Sequence, residues 1–171
     1  IANPPFSLKK WGKDAADADP YGRYPYGTPP KDAGDLAFIQ HMIASLNAEG
    51  KMCVVVPHGV LFRGSSEKEI RKGILEDDLL EAVIGLPSAL FYGTGIPASL
   101  LIINKKKPKD RENKVLFING ELEYQESKNQ NKLRDVDIQH IINIYDGFHD
   151  EKRYSKVVEM DEIRENDYNL N

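Results

Sequence analysis

The chain has 171 residues, which is about the size of one domain. Hydrophobic residues make up 40% of it and charged residues 29%, a mixture that can fold around a core and is too apolar for a disordered chain. With 23 Lys and Arg against 27 Asp and Glu, the net charge is −4. This balance argues against a free-standing basic nucleic-acid module, but not against an enzyme that meets nucleic acid through one local surface or a partner subunit.

Cysteine content and apolar runs exclude further classes of protein. The single cysteine, Cys53, excludes an internal disulfide and a Cys-rich zinc framework, and it predicts a reducing, cytoplasmic compartment. Apolar runs such as 52–56 and 99–103 are far shorter than the ~20 residues of a membrane span. Because a Pro-Pro turn follows Ile1 almost at once, we expect no signal peptide.

The first 34 residues show little regular periodicity. The apolar stub Ile1-Ala2 leads directly into Asn3-Pro4-Pro5-Phe6, and residues 7–34 then mix prolines, glycines and aromatic side chains. A loop of this length is uncommon inside a compact domain and is usually functional or disordered. Since only two residues precede the Pro-Pro turn, we expect the chain to be part of a longer protein.

Three later segments have the apolar spacing of a helix. The first covers 35–49, with Asp35 as its cap. The second covers 67–76, where Ser66 and Glu69 form a capping-box pattern. The third begins at Asp135 or Asp137 and ends at Gly147. Its apolar side is predicted to hold four side chains: Ile138, Ile141, Ile142 and Tyr145.

Short apolar runs between these helices predict strands. They cover 52–56, 79–84, 98–104, 115–118 and, as an edge strand, 154–160. Apolar residues on both faces, as in 52–56, are typical of a parallel sheet covered by helices. The alternation of helices and strands therefore predicts an α/β fold with a mixed, mostly parallel sheet and helices on both faces.

The segment Asn3-Pro4-Pro5-Phe6 has a tightly restricted backbone. Each proline ring fixes its own φ at about −65°, and a proline pushes the residue before it out of the helical region. We therefore expect a stiff, extended turn at the end of a strand, where the side-chain oxygen of Asn3 and the carbonyl oxygen of Pro4 converge. Neither proline offers an N–H, so the turn presents acceptors and almost no donors.

Two fixed acceptors suit an amino group that has to become nucleophilic. The lone pair of the adenine exocyclic amine is delocalised into the ring. Acceptors on both of its hydrogens would localise that lone pair and stabilise the charge that develops on methyl transfer. Phe6 would supply a flat face for the base, and an adenine in duplex DNA would have to be flipped out to reach it. An ordinary Pro-Pro turn is the alternative.

Six further segments, together with this turn, carry a family resemblance: 34–42, 59–64, 67–72, 84–87, 90–97 and 166–171. They are similar to the modification (methyltransferase) subunit of type I restriction–modification systems, which are DNA adenine-N6 methyltransferases. The resemblance extends from residue 1 to residue 171.

This resemblance implies a Rossmann-like fold that uses S-adenosylmethionine. Residues 1–160 would form the C-terminal part of the catalytic domain, and 161–171 would leave it. The resemblance also implies DNA as substrate, assembly with a DNA-specificity subunit and a restriction subunit, and no membrane. By the motif match, Asn3 and Pro4 would hold the target amine, Phe6 would stack on the base, and Asn3 would also lie at the edge of the cofactor site.

Five other residues are expected to contact the substrate: Pro5, Tyr21, Arg23, Tyr24 and Tyr92. The side chains of the 7–34 loop could instead pack locally. The four histidines lack close metal-ligand pairings, and we expect no metal site. His58 follows a strand end, where the active sites of open α/β sheets cluster.

The resemblance has one gap. The family's glycine-rich cofactor motif, and the acidic residue that binds the ribose, precede the Asn-Pro-Pro-Phe turn, and neither is in this chain. We therefore predict that the chain alone does not methylate DNA. Two other interpretations stay open: a methyltransferase acting on protein glutamine or RNA amines, and a non-catalytic assembly subunit.

Overall fold

The computed structural model describes residues 1–91 and 95–171. The strands are β1 (Lys51–Pro57), β2 (Leu80–Gly85), β3 (Ala98–Asn104), β4 (Lys114–Asn119) and β5 (Ser155–Glu159). The helices are α1 (Lys13–Asp17), α2 (Asp35–Ser45), α3 (Ser65–Glu76), α4 (Asp135–Gly147) and α5 (Met160–Glu165), with 3-10 turns at His58–Leu61 and Lys109–Arg111. None of the helices in these ranges is long and apolar enough to cross a membrane.

The five strands form one sheet in the order β1-β3-β2-β4-β5. The α/β class and the edge position of β5 are confirmed, but the expectation of a mostly parallel sheet is wrong. Among the named strands of the described residues, only β2 and β4 pair in parallel, whereas β1–β3, β2–β3 and β4–β5 are antiparallel. The connection from Gly85 to Ala98 returns beside β2 without a crossover helix in its described part, and such a return makes neighbours antiparallel.

Helices cover both faces of the sheet, as predicted. On one face, α2 and α3 pack with Val83 of β2 in the larger apolar cluster. On the other face, α4 packs with Ala82 and Ile84 of the same strand. Alternate residues of β2 therefore face opposite layers. Cover on both faces explains the continuous apolar runs, which reveal burial but not strand direction.

Three helix details differ from the sequence predictions. Gly34 is the N-cap of α2, so Asp35 lies inside the helix. Gly64 precedes α3 with no side-chain cap, which makes the predicted Ser66–Glu69 capping box wrong. In α4 the buried side holds Ile141 and Ile144, while Ile138 and Ile142 are more than two-fifths exposed. Rotating the predicted apolar side of α4 by one residue, which is about 100° around the helix axis, accounts for the last difference.

Two apolar side chains of the final segment pack onto the domain. Ile163 and Leu170 are both buried in the larger apolar cluster. The Leu170 N–H donates to the carbonyl of Leu61 at 3.0 Å, and Arg71 Nε donates to the carbonyl of Tyr168 at 2.7 Å. Removing the segment would therefore expose the α3 side of the core, and the division of the chain at residue 160 stays a prediction.

Candidate active site

The Asn3–Phe6 turn lies at one edge of the sheet, where a short parallel pairing ends. The Ala2 N–H donates to Cys53, and the carbonyl of Ala2 accepts from Val55, both at 3.0 Å. Ala2 therefore forms a single parallel β-bridge with Val54 of β1. The segment that holds Ala2 and strand β1 therefore end on the same side of the sheet, and Pro57 is the last residue of β1. Ligands of open α/β sheets bind at such carboxyl ends.

An open cleft of about 480 Å³ occupies this edge. It is lined by Asn3, Pro4, Pro5, Phe6, Ser7, Pro57, Phe91 and Ile96. The structure thus brings all four residues of the predicted motif to one cavity, whose size is in the ordinary range for small-molecule sites.

Aromatic and polar groups have distinct places in this cleft. The half-buried ring of Phe6 meets the ring of Phe91 edge to face, with centroids 6.3 Å apart and planes at 74°. Asn3 is exposed. Among the described residues its side chain has no hydrogen-bond partner, so its amide oxygen is free to accept from a ligand. The cleft therefore combines an aromatic face with an unoccupied acceptor.

Asp35 holds the residue that directly follows the Asn3–Phe6 turn. Ser7 has a left-handed backbone, with φ 48°, directly after Phe6. Its N–H donates to Oδ1 of Asp35 at 2.7 Å, and the carboxylate is almost completely buried. Nearby, the Gly34 N–H donates to the carbonyl of Leu8 at 3.2 Å. The start of α2 thus fixes where the chain goes after the turn.

A buried ion network continues from Asp35. The other carboxylate oxygen, Oδ2, accepts from the guanidinium of Arg63 at 2.7 Å, and Arg63 Nε lies 3.0 Å from Oε2 of Glu67. Burial raises the pKa of Glu67, and the charge of Arg63 opposes this shift. The sequence predictions missed this network, because Asp35 is 28 residues from each of Ser7 and Arg63 and no local pattern links them.

Tyr21, Arg23 and Tyr24 form a separate cluster. The guanidinium carbon of Arg23 lies 5.3 Å from the ring centroid of Tyr21 and 5.7 Å from that of Tyr24. Asp19 pairs with Arg23, whose hydrogen bond lowers the pKa of that carboxyl. None of these residues is among the described lining of the Asn3 cleft. Their contact with a substrate stays a prediction.

Tyr92 and His58 are two further residues that the sequence singled out. Tyr92, expected to contact the substrate, lies outside the described residues, as do Gly93 and Thr94. His58 is half-buried at the end of β1 and lines a second open cleft of about 540 Å³ along the same sheet edge. Its ring lies 5.6 Å from that of Phe62.

Comparison with known proteins gives a consistent family match. The family described as N-6 DNA Methylase matches residues 1–171. The methylase subunit of the type I restriction enzyme MjaVII from Methanocaldococcus jannaschii is 42% identical, covering 100% of this chain and 31% of that protein. The methylase subunit of the type I restriction enzyme HindI from Haemophilus influenzae is 35% identical, covering 99% of this chain and 39% of that protein. The chain spans about a third of the length of these relatives.

Solved structures extend the match to the fold. The methyltransferase subunit of a type I restriction-modification system from Streptococcus thermophilus has a TM-score of 0.90 and 40% identity, covering 99% of this chain and 35% of that chain. The EcoKI M protein of Escherichia coli has a TM-score of 0.57 and 25% identity, covering 68% of this chain and 25% of that chain. These similarities confirm the fold implied by the sequence resemblance.

Proposed function

Because the chain belongs to the N-6 DNA methylase family, we propose that it forms the target-base half of a DNA adenine-N6 methyltransferase. The observation that carries this proposal is the cleft in which Asn3 and Pro4 lie beside the paired rings of Phe6 and Phe91. Acceptors and an aromatic face in one open cavity suit a flat base that bears an amino group.

The chain's own residues would bind and activate the amine. Oδ1 of Asn3 and the carbonyl oxygen of Pro4 each accept one hydrogen of the adenine exocyclic amine. This holds the nitrogen lone pair out of the ring and stabilises the positive charge that develops there. Losing one such fixed group costs on the order of 10²–10³ in rate. Phe6 stacks on the base after it leaves the duplex, and Pro5 borders the same cavity.

The cleft fits only part of the methyl donor. S-adenosylmethionine would supply the methyl group, but its ribose and amino-acid groups need several fixed polar partners. Of the described residues that line the cleft, only Asn3 and Ser7 have polar side chains. Asn3 would therefore lie at the edge of the cofactor site, and other parts of a longer protein would hold most of the donor. This supports the prediction that the chain alone does not methylate DNA.

The relatives' names indicate the setting of the reaction. MjaVII and HindI are type I restriction enzymes, and the matching proteins are their methylase subunits. The complete protein would accordingly act on DNA, together with a DNA-specificity subunit and a restriction subunit. Cytoplasmic localisation forms part of the same proposal, because the enzyme has to reach cellular DNA.

The test uses the full-length protein co-expressed with its neighbouring subunits. Methyl transfer from labelled S-adenosylmethionine to DNA is measured, and the product nucleoside is identified by mass spectrometry. We expect N6-methyladenine from the wild type, at least ~10²-fold less from Asn3→Ala, and wild-type amounts from Asn129→Ala, an exposed loop asparagine. Cofactor binding without DNA methylation would favour a protein or RNA substrate, and no cofactor binding would favour an assembly subunit.

A further inference from the structure

We propose that Asp35 is a positioning residue for the base-binding turn, a role that rests on the proposed function. Its carboxylate holds the Ser7 N–H with one oxygen and the guanidinium of Arg63 with the other, both at 2.7 Å. Ser7 directly follows the ring that would stack on the base. Asp35 does not line the cleft, so it acts on the base through the residues that it holds in place.

Arg63 connects this carboxylate to a second segment near the cleft. The Arg63 N–H donates to the carbonyl of Gly59 at 2.9 Å, and Gly59 follows Pro57, which lines the cleft, by two residues. The Arg63 guanidinium also lies against Gly59, where an added Cβ would come within 3.1 Å of it. The ion pair between Asp35 and Arg63 therefore links the chain after Phe6 to the chain after Pro57.

Arg71 fixes Arg63 in turn. The Arg71 guanidinium donates to the carbonyl of Arg63 at 2.9 Å and to that of Val60 at 3.2 Å. Arg63 thus has its backbone held by Arg71 and its side chain held by Asp35 and Glu67. Such locked supports preorganise a site, and a misplacement of about 1 Å in an active site can cost about 10²-fold in rate.

Asp137 provides a matched control. It is as buried as Asp35, lies near the start of α4, accepts the Arg134 backbone N–H at 2.8 Å and pairs with the Arg134 guanidinium at 2.7 Å. It does not line the cleft and packs on the other face of the sheet. Asp137→Asn therefore reports the cost of losing a similar buried ion pair away from the base.

The experiment compares Asp35→Asn and Asp35→Ala with Asp137→Asn and wild type in the full-length protein with its partner subunits. We expect kcat for methyl transfer to fall by about 10-fold to 100-fold in the Asp35 variants, more in Ala than in Asn, because the amide oxygen of Asn can still accept the Ser7 N–H. KM values for DNA and cofactor stay unchanged. With 2-aminopurine at the target position, fluorescence of the bound DNA changes in the Asp35 variants and stays at the wild-type level in Asp137→Asn.

The outcomes separate the two proposals. Active wild type with Asp35 variants that match Asp137→Asn in kcat and fluorescence would overturn the positioning role and leave the function intact. Wild type that forms no N6-methyladenine would overturn the function itself. Should Asp35→Asn fail to fold, Arg63→Gln replaces it, because it removes the cation that pairs with Oδ2 of Asp35. It is expected to lower kcat with KM unchanged, and wild-type kcat in that variant would reject the positioning role.

Discussion

The rings of Phe6 and Phe91 meet edge to face, with 6.3 Å between the centroids. This pairing joins the segment after β2 to the turn after Ala2, so the surface offered to a base depends on two distant parts of the chain. Phe91 belongs to the segment 90–97 that carried part of the family resemblance. Its place in the cleft is visible only in the structure.

Replacing Phe91 by Leu is expected to weaken base binding while leaving the chemistry of the amine in place. The edge-to-face pair contributes about 0.5–1.5 kcal/mol beyond its buried area, so kcat/KM for DNA should fall roughly 2-fold to 10-fold. Steady-state methylation measures this directly. Phe62→Leu is the control, because that ring contacts His58 and not Phe6. Equal kcat/KM in the two variants would contradict a role for Phe91 at the base.

Glu81, near the start of the central strand β2, is expected to be a major source of the stability of the fold. It is fully buried, accepts the Tyr145 hydroxyl at 2.6 Å and lies 3.0 Å from the Lys51 ammonium. Burial would raise the pKa of Glu81, but Tyr145 and Lys51 outweigh it and hold that pKa below its usual range. The carboxylate therefore stabilises the fold above pH 4.5, and this contribution is lost as the pH falls through the lowered pKa.

Removing that charge should destabilise the sheet locally. Glu81→Gln leaves Lys51, whose side chain is 45% exposed, and the half-buried Arg111 without their anion. Because solvent screens the exposed Lys51, we expect a cost below the about 3–5 kcal/mol of a fully buried pair. Hydrogen exchange of the β2 and β3 amides in the full-length protein measures the change. Glu49→Gln, which breaks an exposed pair with Lys106, serves as the control and should change little. Unaltered β2 protection in Glu81→Gln would disprove the assignment.

His140 is expected to make the loop after α4 sensitive to pH. Its Nδ1 lies 2.8 Å from Glu123 and its Nε2 3.2 Å from Glu151, and the ring stacks on Tyr154 at 4.1 Å. The hydrogen bond with Glu123, followed by that with Glu151, raises the pKa of His140 above 6.5. The contribution is therefore complete below pH 6.5 and is lost as the pH rises through the raised pKa.

Hydrogen exchange of residues 151–155, corrected for the intrinsic rate at each pH, tests this linkage. Protection should decline as the pH rises through that range in wild type, and His140→Gln should remove the decline. His41→Gln changes a histidine on the exposed side of α2 and should retain it. The same pH profile in wild type and His140→Gln would show that the two glutamates do not act through this ring.

The sequence predicted local features well and distant pairings poorly. The bounds of β3 matched residue for residue, because apolar runs are a local property. The Asn3–Phe6 turn follows a single parallel bridge of Ala2 to β1, where the sequence predicted the end of a strand. Strand direction was predicted incorrectly, since burial on both faces is the same in either direction. Asp35 was interpreted only as a helix cap. Its true partners, Ser7 and Arg63, are each 28 residues away, and only the folded chain brings them together.

The Arg23 cluster gives the last prediction, which concerns DNA contact outside the cleft. Tyr21 is 78% exposed, and Arg23 lies between it and Tyr24. If the Arg23 guanidinium contacts a DNA phosphate, Arg23→Gln should change how DNA binding depends on salt. The slope of the logarithm of the DNA association constant against the logarithm of the salt concentration should fall in magnitude by about 1. Lys72→Gln is the control, because Lys72 also lies over a tyrosine ring, that of Tyr168 at 5.5 Å, on the α3 side. Fluorescence anisotropy of the assembled complex across a salt series measures both slopes. Asp19 already pairs with Arg23. A slope in Arg23→Gln equal to that of the wild type would therefore mean that this ion pair only stabilises the conformation of the 7–34 loop.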